Sequence, residues 1–148
     1  MESKIIVGID PDCDRNGYAV YVDGFLSVCA TATVVEIITS HLPTLLGFGS
    51  VIFSIENVLA NNFVYSRNAN KNNGVEKDIA RKIGRCQQAQ IELMRWLDHY
   101  EIPYFLHKPQ KGNWADNKAL FERITGWKGS SNQDSRAAAY FGYLALEK

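Results

Sequence analysis

The sequence predicts an α/β fold: a mixed five-stranded sheet, three antiparallel strands followed by parallel ones, flanked by helices. Three features point to it. Two apolar, β-branched runs, KIIVGID over residues 4–10 and VIFSIE over residues 51–56, each end in a carboxylate, as buried central strands do when their carboxyl ends face a site. An Asp23-Gly24 pair sits between two strand-like segments, the mark of a type I′ hairpin. The rest of the chain carries helical rather than alternating periodicity.

The elements follow in order. Residues 4–10 form the first strand, PDCDRNG a turn, GYAVYV over 17–22 the second strand, and FLSVCA from residue 25 completes the hairpin. Thr33 to Leu46 places apolar residues at 34, 35, 37, 38, 42, 45 and 46 and is stopped by Gly47 and Gly49, which predicts a helix with Pro43 inside it. After the strand 51–56, the asparagine-rich residues 60–74 read as an exposed loop. Val75 to about Tyr100 is a long amphipathic helix marked by Ile79, Ile83, Cys86, Leu93, Met94 and Leu97. Pro103 opens a strand, residues 107–114 are a loop, Asp116 to about Ile124 is a short helix, and residues 134–146 are an alanine-rich final helix.

The 148 residues suit one domain, with 46% hydrophobic residues to build its core. Basic and acidic residues balance at 16 each, so charge must be read segment by segment. Cys13, Cys29 and Cys86 are odd in number and unpaired in spacing, which excludes a disulfide framework or thiolate zinc site and predicts a reducing, cytoplasmic setting. No apolar stretch reaches bilayer-spanning length, and the N-terminus lacks a signal-peptide core. A soluble, unprocessed protein without a membrane partner is expected.

Ligand sites in open α/β sheets gather at strand carboxyl ends, where Asp10 and Glu56 lie. Asp134, at the start of the last helix, could add a third oxygen ligand, and such all-oxygen sets suit Mg²⁺ or similar hard ions. Rigidly placed carboxylates are what two-metal phosphodiester hydrolysis asks of a protein. Each acid also has a plainer reading. Asp10 before Pro11 can begin a turn, and Asp134 can serve a helix start, with Ser131-x-x-Asp134 resembling a capping box. Glu56 ends an apolar strand and is poorly suited to a core. The constellation, more than any single acid, points to metal.

Charge supplies the second signal. Between Ser66 and Arg85, Arg67, Lys71, Lys77, Arg81, Lys82 and Arg85 face only Glu76 and Asp78. From His107 to Lys128, Lys108, Lys111, Lys118, Arg123 and Lys128 face Asp116 and Glu122. Both stretches suit phosphate contacts, although a solvated helix face explains many such runs. Phe63 and Tyr65, in the loop after Glu56, could stack on bases or pack onto the core. His41, His99 and His107 show no ligand spacing, though His107 follows a strand toward the same end of the sheet.

Taken together, these segments resemble a known family. IIVGIDPDCDRNGYAVY is similar to the opening strand and hairpin of the RuvC-like Holliday junction resolvases of the ribonuclease H-like superfamily. VIFSIEN resembles that family's strand ending in glutamate, GRCQQAQIELM its small-residue-rich helix, and SSNQDSRAAAYFGYLAL its final acidic helix. The matches run in order along nearly the whole chain. The resemblance implies a homodimeric endonuclease that binds branched DNA and makes paired nicks with two Mg²⁺ or Mn²⁺ ions. It assigns Asp10, Glu56 and Asp134 as metal ligands and Lys118 as a basic residue near the scissile phosphate. Its compact size suits a phage or mobile-element member.

The sequence departs from the family in three places. Ala137 stands where a further acid often follows in the last helix, so the site is one ligand short or uses Asp12 or Asp14 instead. Those two acids replace the small residues usual after Asp-Pro. The wedge-like aromatic expected three residues after the strand glutamate is Leu59, with Phe63 and Tyr65 as displaced candidates. A non-catalytic nucleic-acid-binding or scaffold protein with a degenerate site is therefore the alternative. Gly-Ile-Asp also opens actin-like and sugar kinase ATPase domains, but these close two such domains on a nucleotide, for which 148 residues leave no room.

Overall fold

The computed structural model describes residues 2–60 and 73–146. Five strands form one sheet in the order β3-β2-β1-β4-β5. They are β1 (Ser3–Asp10), β2 (Asn16–Val22), β3 (Phe25–Ala32), β4 (Gly49–Glu56) and β5 (Tyr104–His107). β1, β2 and β3 are antiparallel neighbours, while β4 and β5 run parallel to β1. The mixed sheet is the one the sequence predicts. Asp23 and Gly24 both adopt positive φ, 49° and 88°, as a type I′ turn requires. A register shift at Val20 and Tyr21 adds a bulge between β2 and β3.

The expected first helix is a single helical run of three segments: α1 (Val34–Glu36), a π-helical turn (Ile37–His41) and α2 (Leu42–Leu46). Thr33 caps it reciprocally with Glu36, and Gly47 ends it. The widened turn lies directly before Pro43, which lacks an N–H for the carbonyl four residues back and whose ring would crowd it. α3 (Asn73–His99) is the long amphipathic helix. Asp116 belongs to a short 3-10 turn (Trp114–Asp116), and α4 starts two residues later (Lys118–Thr125) because Asn117 caps it through the Leu120 N–H. α5 (Gln133–Ala145) is the final helix.

The strands' two-residue period sorts their side chains into two cores. Ile5, Val7, Ile9, Val51, Phe53 and Ile55 pack against Ile37, Ile38 and Leu42 and against Leu93 and Leu97 of α3. On the other face Ala19 and Cys29 meet Trp114, Phe121 of α4 and Ala138 and Ala139 of α5, while Ile6 and Tyr21 meet Ala145. Each large aliphatic side chain so buried contributes about 1.5–3 kcal/mol. The result is a three-layer helix–sheet–helix sandwich. α5 lies unusually close to β1: a Cβ on Gly8 would fall 2.0 Å from the Ala138 carbonyl oxygen. The Tyr21 hydroxyl fixes the helix further, donating to the Ala139 carbonyl at 2.6 Å. No helix among the described residues is long and apolar enough to cross a membrane.

Candidate metal centre

Asp10 ends β1 and Glu56 ends β4, its parallel neighbour. Their shared face is the one α5 covers. Two residues earlier, the register partners Gly8 and Ser54 both touch that helix, Ser54 by donating its hydroxyl to the Phe141 carbonyl at 2.6 Å. Asp134 enters from the first turn of α5. The helix cap is not the Ser131–Asp134 box that the sequence suggests. Asn132 accepts from the Ser135 N–H at 2.8 Å, and the Ser135 hydroxyl accepts from the Asn132 N–H at 2.9 Å. Capping therefore occupies residues on either side of Asp134 and leaves its carboxylate to the site.

Gly17 allows the approach. It pairs with Asp10 across the β1–β2 ladder, and a Cβ there would lie 2.0 Å from the Asp134 carbonyl oxygen. Any side chain at this position would push the start of α5 away from the two strand-end acids.

The ionisation of the three acids records their convergence. Asp10 is pushed up to about 8, first by burial and then by the negative charges of Glu56 and Asp134. A hydrogen bond with Glu56 raises it further. Burial also raises Glu56, with the hydrogen bond from Asp10 pulling the other way. Asp134 is raised by burial and by Asp12, and lowered by Lys82. Buried like charges held this near need either a proton or a cation between them. The donors are all oxygen, which fits a hard divalent ion such as Mg²⁺ or Mn²⁺ better than zinc.

Asp12 stands beside this group and also raises Asp10. Asn16, buried to 1% exposure, holds the turn in place by accepting from the Asp12 N–H at 3.1 Å and donating to the Ala32 carbonyl at 3.1 Å. Among the described residues, the tightest group of candidate ligand atoms is Asp12, Cys13 and Asp14, all within 4.8 Å of one another. Three consecutive residues of one turn come together by chain connectivity alone, and Asp14 is exposed. Asp10, Glu56 and Asp134 are half-buried and come from three separate elements, β1, β4 and α5, with Asp12 beside them.

α3 crosses over the site. Lys82, Cys86, Gln90, Leu93 and Leu97 share one side of it at three- and four-residue spacing. Leu93 and Leu97 enter the core, and Gln90 is wholly buried. The Gln90 amide oxygen accepts from Val58 N–H at 2.8 Å and Leu59 N–H at 3.3 Å, and its nitrogen donates to Asn57 Oδ1 at 3.0 Å. Gln87 adds a bond to the Val58 carbonyl at 3.3 Å. The segment that follows Glu56 is thus fastened to α3. Neither Asn16 nor Gln90 is marked by the sequence; the one available signal is a glutamine in an otherwise apolar helical stripe.

The remaining candidates are spread more widely. Lys77, Arg81, Lys82 and Arg85 are exposed on α3, with Arg81 in a 3.5 Å ion pair with Asp78. Lys108 and Lys111 are exposed beyond β5, and Lys118 is exposed at the start of α4. Of these cations, Lys82 acts on Asp134 through its charge. Phe63, Tyr65, Arg67 and Lys71 lie outside the described residues. Leu59 is 37% exposed in a 3-10 turn, and Ala137 is buried. His107 pairs in register with Glu56, and its Nε2 lies 2.7 Å from the Ser54 hydroxyl. That hydroxyl gives its proton to Phe141, so the imidazole Nε2–H is the donor between them.

No protein-family model and no curated protein sequence matches the chain. Its fold does match solved structures. RuvC of Thermus thermophilus in complex with a Holliday junction substrate superposes with a TM-score of 0.59 at 18% identity, covering 96% of this chain and 92% of that one. A second Thermus thermophilus RuvC structure gives a TM-score of 0.50 at 17% identity, over 97% and 96%. The chain has the RuvC-like, ribonuclease H-like fold.

Proposed function

We propose that this protein is a metal-dependent endonuclease that cleaves branched DNA, resolving four-way junctions by phosphodiester hydrolysis. The observation that carries the reading is the convergence of Asp10, Glu56 and Asp134, from β1, β4 and α5, beneath the exposed lysines and arginines of α3. These acids would hold two Mg²⁺ or Mn²⁺ ions, with Asp12 as the supplementary oxygen donor where Ala137 offers none. Such ions, when bound, activate a water and neutralise charge on the phosphate.

The chain's own residues do the rest. Gly17 and the Asn132–Ser135 cap fix the start of α5, while Gln90 fixes the chain beyond Glu56, so the acids meet the backbone already in place. Lys77, Arg81 and Arg85 draw the strand onto α3 through sequence-independent phosphate contacts, joined by Arg67 and Lys71 ahead of the helix and by Lys108 and Lys111 beyond β5. Phe63 and Tyr65 are proposed to stack on exposed bases at the branch, and Lys118 to supply a basic group near the scissile phosphate. A homodimer would present two centres to two strands, as paired nicking requires.

The test is cleavage of a labelled four-way junction against matched linear duplex, with Mg²⁺, with EDTA and with Asp10→Asn. Paired nicks in the junction alone, abolished by EDTA and by the substitution, are expected. Cleavage of both substrates would leave a nuclease without branch selectivity. Tight junction binding without any cleavage would replace this reading with that of a scaffold protein.

A further inference from the structure

Two cavities border the turn that follows β1, and both are lined by Lys82. One, of about 390 Å³, lies between α3 and the turn after β1, with Asp12, Asp14, Arg81 and Arg85 on its walls. The other, of about 250 Å³, lies between α3 and the end of β4, with Pro11, Glu56 and Val58. Lys82 stands two helical turns before buried Gln90, which ties α3 to residues 57–59; its side chain is exposed and its charge acts on Asp134. Among the described residues no carboxylate lies within 4.0 Å of it, whereas Arg81 is already engaged with Asp78.

We propose that Lys82 contacts the scissile phosphate directly and stabilises the charge that develops on it during cleavage, a catalytic role distinct from the tracking of the DNA backbone by the other basic residues of α3. The inference rests on the nuclease reading above. In the step concerned a water oxygen adds to phosphorus, the P–O ester bond to the leaving sugar breaks, and the water's proton passes through solvent to the departing oxygen. The Lys82 ammonium keeps its protons throughout. It donates hydrogen bonds to a non-bridging oxygen, whose negative charge grows as the water adds, and so binds the transition state more tightly than the ground state. A lysine suits this task because its ammonium is a compact point charge on a flexible stem.

The experiment is single-turnover cleavage of a four-way junction in Mg²⁺ at saturating protein, with junction affinity measured separately in Ca²⁺. Wild type is compared with Lys82→Ala, Lys82→Arg and Arg95→Ala, the last an exposed residue paired with Glu92 far along α3. Lys82→Ala is expected to lower the saturating rate by about a hundredfold while junction affinity changes by less than about threefold. Lys82→Arg should recover part of the rate, added methylammonium should partly rescue Lys82→Ala, and Arg95→Ala should match wild type. An unchanged saturating rate in Lys82→Ala, or a loss confined to affinity, would overturn the assignment while leaving the nuclease reading intact. Failure of the wild type itself to cleave would overturn that reading and this one with it.

Discussion

Asp10 carries the clearest physical signature at the scale of single residues. Held up to about 8 in the folded chain by burial and by Glu56 and Asp134, it titrates near 3.9 when unfolded. The folded state therefore binds this proton more tightly, and metal-free protein should lose stability as pH rises from about 4 through about 8. Thermal midpoints in EDTA are expected to fall across pH 5 to 9, and Asp10→Asn, which removes the ionisation, should flatten that decline. A midpoint in EDTA that rises with pH would contradict the arrangement. Asp10 and Glu56 were legible in the sequence because an acid ending an apolar strand has few structural uses. Asp134 was legible only in their company, since a helix start commonly carries an acid. Asn16, Gly17 and Gln90 were not, because what they serve is backbone brought near by folding: the Asp12 amide, the Asp134 carbonyl and the Asn57–Leu59 turn.

Among the elements, α3 joins the core to the site. Its amphipathic pattern was plain from sequence, and so were the strands and the hairpin, because each rests on local periodicity or turn chemistry. The π-helical turn before Pro43 and the true cap of α5 were less so, since both depend on which of several neighbouring groups takes a hydrogen bond. Gln90→Leu tests how α3 holds the centre. It keeps the apolar bulk but leaves the buried Val58 N–H without its acceptor, at a cost of about 1–3 kcal/mol. That corresponds to a fall in melting temperature of about 2–4 °C for each kcal/mol. Calorimetric titration should also show weaker Mn²⁺ binding, because the chain beyond Glu56 is freed; a lower melting temperature with unchanged Mn²⁺ affinity would confine Gln90 to stability.

Across the whole molecule, the sheet depends on both of its helical layers. α5 covers β1, β2 and β4 and buries Phe141, Ala138 and Ala139, and without it that face would expose Ile6, Ala19 and Tyr21 to water. A chain ending at residue 132 is expected to lose cooperative thermal unfolding by circular dichroism, whereas a sharp transition would show that the remaining layers fold alone. Topology was the part of the architecture most readable in advance, since the order of strands and helices allows few arrangements. The packing distance of α5 was not, because it rests on Gly8 and Gly17, which read in sequence as ordinary strand glycines.

The acids that meet at the centre come from residues 10, 56 and 134, so the third is made long after the first two. Until α5 is made, Asp10 and Glu56 lack both the third acid and the helix that covers their face of the sheet. On the proposed reading, the potential to cut DNA therefore arrives only when synthesis has passed Asp134 and the last helix has docked.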